Sequence, residues 1–82
     1  MKQIYVDDDT ICYAENMVCM RVVNGGASSC VECHFGKDIK FVIAIGEYGR
    51  MREVFNRVQN RLLDNKPIYM RQIINSVEKC FS

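Results

Sequence analysis

The feature that most restricts the fold of this chain is a change of hydrophobic period at Gly46. Before it, apolar and polar residues alternate in short runs separated by turn formers; after it, apolar residues recur at helical spacing. Period two belongs to half-buried strands and period 3.6 to amphipathic helices. Strands are therefore expected first and helices second, an α+β class with helices laid on one face of a sheet. With 82 residues, the chain suffices for one domain, 1–82, because a chain this short buries only about 60% of the surface its unfolded form exposes.

In the first half, Ile4 and Val6 share one face of a strand, Asp7-Asp8-Asp9 reads as a turn, and Ile11 and Tyr13 continue on a second strand. Met17 to Val23 reads as a third, ending at Asn24-Gly25-Gly26, where Asn and Gly tolerate positive φ. Cys30 to Phe35 and Ile39 to Ile45 complete an antiparallel sheet of about five strands in a meander. In the last, Ile39, Phe41, Ile43 and Ile45 are expected to point one way and Val42 and Ala44 the other. Beyond Gly46, Met51, Val54, Phe55, Val58 and Leu62 predict one long helix, Tyr48 to Asn65, packed on the sheet and stopped by Pro67. A short extended Ile68-Tyr69 precedes a second, shorter C-terminal helix marked by Met70, Ile73, Ile74, Val77 and Phe81.

Composition removes several classes. A hydrophobic fraction of 49% with 26% charged residues belongs to folded proteins rather than to disordered or membrane-spanning ones. No run approaches the roughly 20 apolar residues that cross a bilayer, and MKQIYVDDD does not resemble an export signal, so no membrane partner and a cytoplasmic location are expected. Five cysteines, Cys12, Cys19, Cys30, Cys33 and Cys80, are odd in number and are expected as free thiols. Residues 1–47 carry seven acids and four bases, residues 48–82 three acids and seven bases, so the halves have opposite sign.

Cys30-Val31-Glu32-Cys33-His34 has the letters of c-type haem attachment. In a strand, however, residues three apart face opposite sides, which keeps the two thiols from one porphyrin edge. Zinc would use the same Cys30, Cys33 and His34, with Cys12 and Cys19 as further thiolates, but no knuckle turn separates the first pair. A cysteine nucleophile with His34 as its base needs both side chains within hydrogen-bond reach, and neighbours in a strand diverge. Asp7-Asp8-Asp9 has no further ligands at calcium-loop spacing. The plainer expectations are buried thiols acting as small apolar groups, a solvated turn, no cofactor and no catalysis.

The long helix offers a binding surface instead. Arg50, Arg57 and Arg61 fall near one stripe, with Arg52 and Lys66 around them and Tyr48 at the start. Read as outward-facing, this is a basic surface for a protein partner, for example the acidic groove of a nucleic-acid-handling complex. Direct nucleic-acid binding ranks lower, because no aromatic residue is interleaved with the arginines. Tyr5, Val18, Met20, Val22, Val42 and Ala44 are expected on the second face of the sheet, where self-association into a homodimer or larger assembly would cover them.

Tyr13-Ala14-Glu15-Asn16-Met17-Val18, then Ile45-Gly46-Glu47-Tyr48 running into a helix, then Ile68-Tyr69-Met70, occur in that order. This succession resembles a family of small uncharacterised proteins of Firmicutes phages and mobile elements. That family's pattern is Asn-x-(Ile/Val), Leu-Gly-x-Tyr, a helix and a closing Val-Tyr-x-Met. The chain departs from it in Ile45, in the missing proline after Met70 and in the added C-terminal helix. The resemblance implies an α+β domain and no catalytic residue. By analogy it implies stoichiometric binding, either to a host defence complex as an inhibitor or to a nucleotide signal as a sequestering oligomer.

Overall fold

A computed structural model describes residues 2–81, which leaves Met1 and Ser82 of the expected domain outside it. The elements in chain order are β1 (Gln3–Asp7), β2 (Thr10–Tyr13), a single 3-10 turn (Ala14–Asn16), β3 (Cys19–Asn24), β4 (Ser29–His34), β5 (Lys40–Gly46), α1 (Tyr48–Leu63), β6 (Ile68–Tyr69) and α2 (Met70–Phe81). The α+β class and the two helices, a long one and a shorter C-terminal one, are as the change of period predicts.

The single five-stranded meander is not. Six strands form two three-stranded sheets, ordered β2-β1-β6 and β3-β4-β5. The 3-10 turn at Ala14–Asn16 separates β2 from β3, so these neighbours in sequence do not pair. The other side of β1 is taken by β6, parallel, with Ile4 beside Ile68 and Tyr5 beside Tyr69. Two residues cannot display a strand period, and their partner lies at the other end of the chain, so local patterning is blind to this pairing.

The second sheet corrects the expected alternation. β4 and β5 pair antiparallel, but the register steps from Val31↔Ala44 to Glu32↔Val42, leaving Ile43 as the extra residue of a bulge. Ile43 and Ala44 are consequently both buried, whereas Ile45 is 70% exposed. Met20 and Val22 also lie against the core rather than on the second face. Of the residues expected on that face, Val18 and Val42 are exposed, and Tyr5 stacks on Tyr69 with ring centroids 4.8 Å apart.

The core lies between the sheets and the helices: Ile4, Val31, Cys33, Val54, Val58, Ile68 and Met70 are fully buried. α1 packs over β3, β4 and β5, and α2 over β1. Each end of α1 has a specific device. Glu47 is its N-cap, accepting from the backbone N–H groups of Gly49 at 3.0 Å and Arg50 at 3.1 Å. This satisfies two of the helix's orphan donors and places a negative charge at the positive end of its dipole. At the other end Asn65 has φ 58°, and Lys66 N–H donates to the Arg61 carbonyl at 3.1 Å while Asn65 N–H donates to that of Leu62 at 3.2 Å. That is a Schellman closure, after which Pro67 prevents continuation.

Candidate functional site

The arginines of α1 do not form one outward stripe. Arg50 Nε lies 3.5 Å from Glu78 Oε1, and its guanidinium sits 5.4 Å above the centre of the Phe81 ring. Arg57 donates through Nε to Glu53 Oε1 at 3.0 Å, through Nη2 to Cys80 Sγ at 3.2 Å, and through Nη1 to Ser76 Oγ. Glu78, Phe81, Ser76 and Cys80 all belong to α2, so these two arginines bridge the helices. Arg61 is exposed farther along the same seam, where Arg57, Asn60, Arg61, Asp64, Gln72, Ile73 and Ser76 border a groove of about 230 Å³. Arg52 and Lys66 are exposed elsewhere, and Tyr48 is partly exposed at the start of α1. Helical spacing identifies which residues share a stripe; it does not say which neighbour covers that stripe.

The Cys30, Cys33 and His34 cluster divides between two faces, as strand alternation requires. Cys33 is fully buried on the core side. Burial, reinforced by the neighbouring thiols of Cys12 and Cys19, pushes its pKa up to about 12. Burial raises the Cys12 thiol as well. Cys30, Glu32 and His34 share the other face, and the carboxylate stands between thiol and imidazole. Cys30 Sγ is 3.9 Å from Glu32 Oε2, and His34 Nε2 is 3.2 Å from Glu32 Oε1. Arg21 and Lys40, from the flanking strands, approach the same carboxylate at 3.6 and 3.7 Å.

Glu32 is therefore a buried anion on the solvent side of a sheet, covered by three basic side chains. Desolvation acts to raise its pKa. The hydrogen bond from His34 and the charges of Lys40, Arg21 and His34 outweigh that effect and hold it below the ordinary value. Of this cluster, the sequence marks only Cys30 and His34 as candidates. Its signal is the Cys30, Glu32, His34 spacing of two, but the two cations come from other strands. The set is an ion cluster: among the described residues no group of three His, Cys, Asp or Glu side chains is placed to hold a metal ion. In the acidic turn, Asp7 Oδ1 accepts from Asp9 N–H at 2.8 Å and Asp8 pairs with Arg71 at 3.4 Å.

A wider concavity lies elsewhere. An open cleft of about 620 Å³ is bordered by Thr10, Ile11, Cys12 and Tyr13 of β2, by Asn16, and by Phe35, Ile39 and Phe41 at the turn end of the β4–β5 hairpin. Ile11, Tyr13 and Ile39 are exposed there. Of these residues the sequence marks only Cys12, as a candidate zinc thiolate and not as part of a cleft, since an apolar residue in a strand reads as core until its neighbours are known.

No family model matches this sequence, and no curated protein and no solved structure matches it.

Proposed function

We propose that this chain is a non-catalytic binding protein that acts by stoichiometric contact with a protein partner. The phage and mobile-element resemblance proposes a host defence or nucleic-acid-handling complex as that partner, with the chain as its inhibitor. The observation that carries the binding reading is the open cleft, whose walls keep Ile11, Tyr13 and Ile39 exposed. Three exposed apolar side chains gathered around one cleft support an interaction surface there. Arg52, Arg61 and Lys66, all exposed, supply positive charge on the helical side, whereas Arg50 and Arg57 are already engaged with α2. The test is to capture partners on the tagged protein, purify the captured protein and reconstitute the pair. A complex of fixed ratio by light scattering is expected; failure of every captured protein to form one overturns the reading.

A second reading is supported by the groove between the helices. Arg61 with Asn60 and Gln72 offers guanidinium and amide donors for the phosphate of a nucleotide signal, beside the Asp64 carboxylate on the same rim. A thermal-shift panel of cyclic nucleotides tests it: a ligand at a hundredfold over its Kd adds about 2.7 kcal/mol. The absence of any shift removes this reading.

A further inference from the structure

A sheet edge exposes unpaired N–H and C=O groups that template another strand, and proteins ordinarily blunt such edges with charge, proline, bulges or brevity. Three of the four edges here are blunted. β3 carries exposed Arg21, β5 carries Lys40 and the Ile43 bulge, and β6 is two residues long and runs directly into α2. β2, Thr-Ile-Cys-Tyr, carries no charge and no proline of its own; its only blunting features are its modest length and an irregularity in β1 at Val6, near the Thr10 end of the pair.

The cleft adjoins that edge. Successive residues of a strand point to alternate faces, yet all four residues of β2 border the one cleft. β2 pairs only with β1, so its other side carries free backbone groups beside this cleft. Phe35, Ile39 and Phe41 border the same cleft and supply apolar surface for side chains of a segment lying beside β2.

Charge selects the occupant. Residues 7–16, which carry this edge, include Asp7, Asp8, Asp9 and Glu15 and no base, and all four acids are exposed; Asp8 is paired with Arg71 at 3.4 Å, which leaves Asp7, Asp9 and Glu15 as the acidic surplus. In the β4–β5 hairpin Lys37 and Asp38 are adjacent in sequence with opposite charge, and Lys40 lies 3.7 Å from Glu32. A second copy fits poorly: antiparallel pairing of β2 with itself brings the Asp9 end of one strand against the Glu15 end of the other, at both ends. From the edge, the cleft and the charge together, we infer that β2 is the docking site for an extended segment of a partner protein. The segment adds as a strand, carries apolar side chains at alternate positions, and is flanked by lysine or arginine. This rests on the binding-protein reading and names its surface and the chemistry of its partner.

The probe is a short fluorescent peptide of alternating valine and threonine with lysines at both ends, titrated with the full chain and followed by anisotropy. Saturable binding is expected, weakened at least about tenfold by Ile11→Lys and by Ile39→Lys. Both residues are exposed, 48% and 61%, so the folded state tolerates the changes, and circular dichroism verifies it. Gln59→Ala, at an exposed position of α1 away from the cleft lining, is expected to leave the affinity unchanged, and replacing the peptide's lysines by glutamates to weaken it. Amide exchange is expected to slow at Thr10–Tyr13 when peptide is bound. No saturable binding, equal binding by Ile11→Lys, or a wild-type dimer that Ile11→Lys dissociates would each overturn the assignment. A reconstituted partner complex that is indifferent to Ile11→Lys but lost in Arg61→Glu overturns the docking site while leaving the binding-protein reading standing.

Discussion

Glu32 shows how a single residue acquires its properties from strands that are distant in sequence. Alone on a strand it would be a solvated carboxylate; beside Arg21 of β3 and Lys40 of β5, with His34 two residues on, it is buried and its pKa is depressed. The depressed value means that Glu32 contributes stability above the ordinary carboxylate value of 4.5. That contribution is lost as pH falls through the lower folded-state value. Glu47, held low by its hydrogen bonds from the Gly49 and Arg50 backbone, behaves in the same sense. Glu32→Gln is therefore expected to lower the urea midpoint at neutral pH and to flatten, without abolishing, its fall in acid. A pH profile parallel to the wild type would show that the cluster carries no stability. The thiols are ordered by their surroundings too. Cys19 and Cys80 are exposed, whereas Cys33 is buried with a pKa of about 12, which leaves roughly a thousandfold less thiolate than an ordinary cysteine has. Iodoacetamide labelling read by peptide mass spectrometry should modify Cys19 and Cys80 first and Cys33 only on unfolding.

At the scale of elements, the informative feature is the seam between α1 and α2. A helix with four arginines reads as a basic face, but Arg50 and Arg57 are joined to Glu78, Ser76, Cys80 and the Phe81 ring. They fix the second helix against the first, and only Arg52 and Arg61 among the four remain exposed. Arg57→Glu is expected to cost about 1–2 kcal/mol, since it loses its partners on α2 and sets a carboxylate beside Glu53 at i,i+4 spacing. Arg52→Glu should stay within about 0.5 kcal/mol. Equal denaturation midpoints for the two variants would show that the seam contributes nothing. β5 makes the same point in strand form. Its bulge at Ile43 turns Ala44 inward and Ile45 outward, a reversal that strict alternation cannot foresee.

For the whole molecule, stability depends on a small buried set shared by both sheets and both helices. At about 0.05–0.15 kcal/mol per residue, a chain of 82 residues has roughly 4–12 kcal/mol of net stability. Ile4 and Ile68, neighbours across the parallel β1–β6 pair, are both fully buried. Ile4→Ala or Ile68→Ala removes about 2–5 kcal/mol, so either variant should show a greatly reduced urea midpoint or be unfolded in water. A loss below about 1 kcal/mol would place the pair outside the cooperative core.

The change of period at Gly46 is enough to set the class, the strand-then-helix order and the buried stripe Met51, Val54 and Val58, because these follow from local side-chain spacing against a single apolar face. The end of α1 is equally local, since Asn65 and Pro67 act on backbone groups within one turn. The division into two sheets, the parallel pairing of β6 with β1, the burial of Glu32 and the engagement of Arg50 and Arg57 are tertiary decisions. Each depends on contacts between residues far apart in sequence, and spacing along one segment says which side chains share a face but never what that face meets. The cleft beside β2 belongs to the same group, for an apolar strand residue becomes a binding surface only when the fold leaves its edge unpaired.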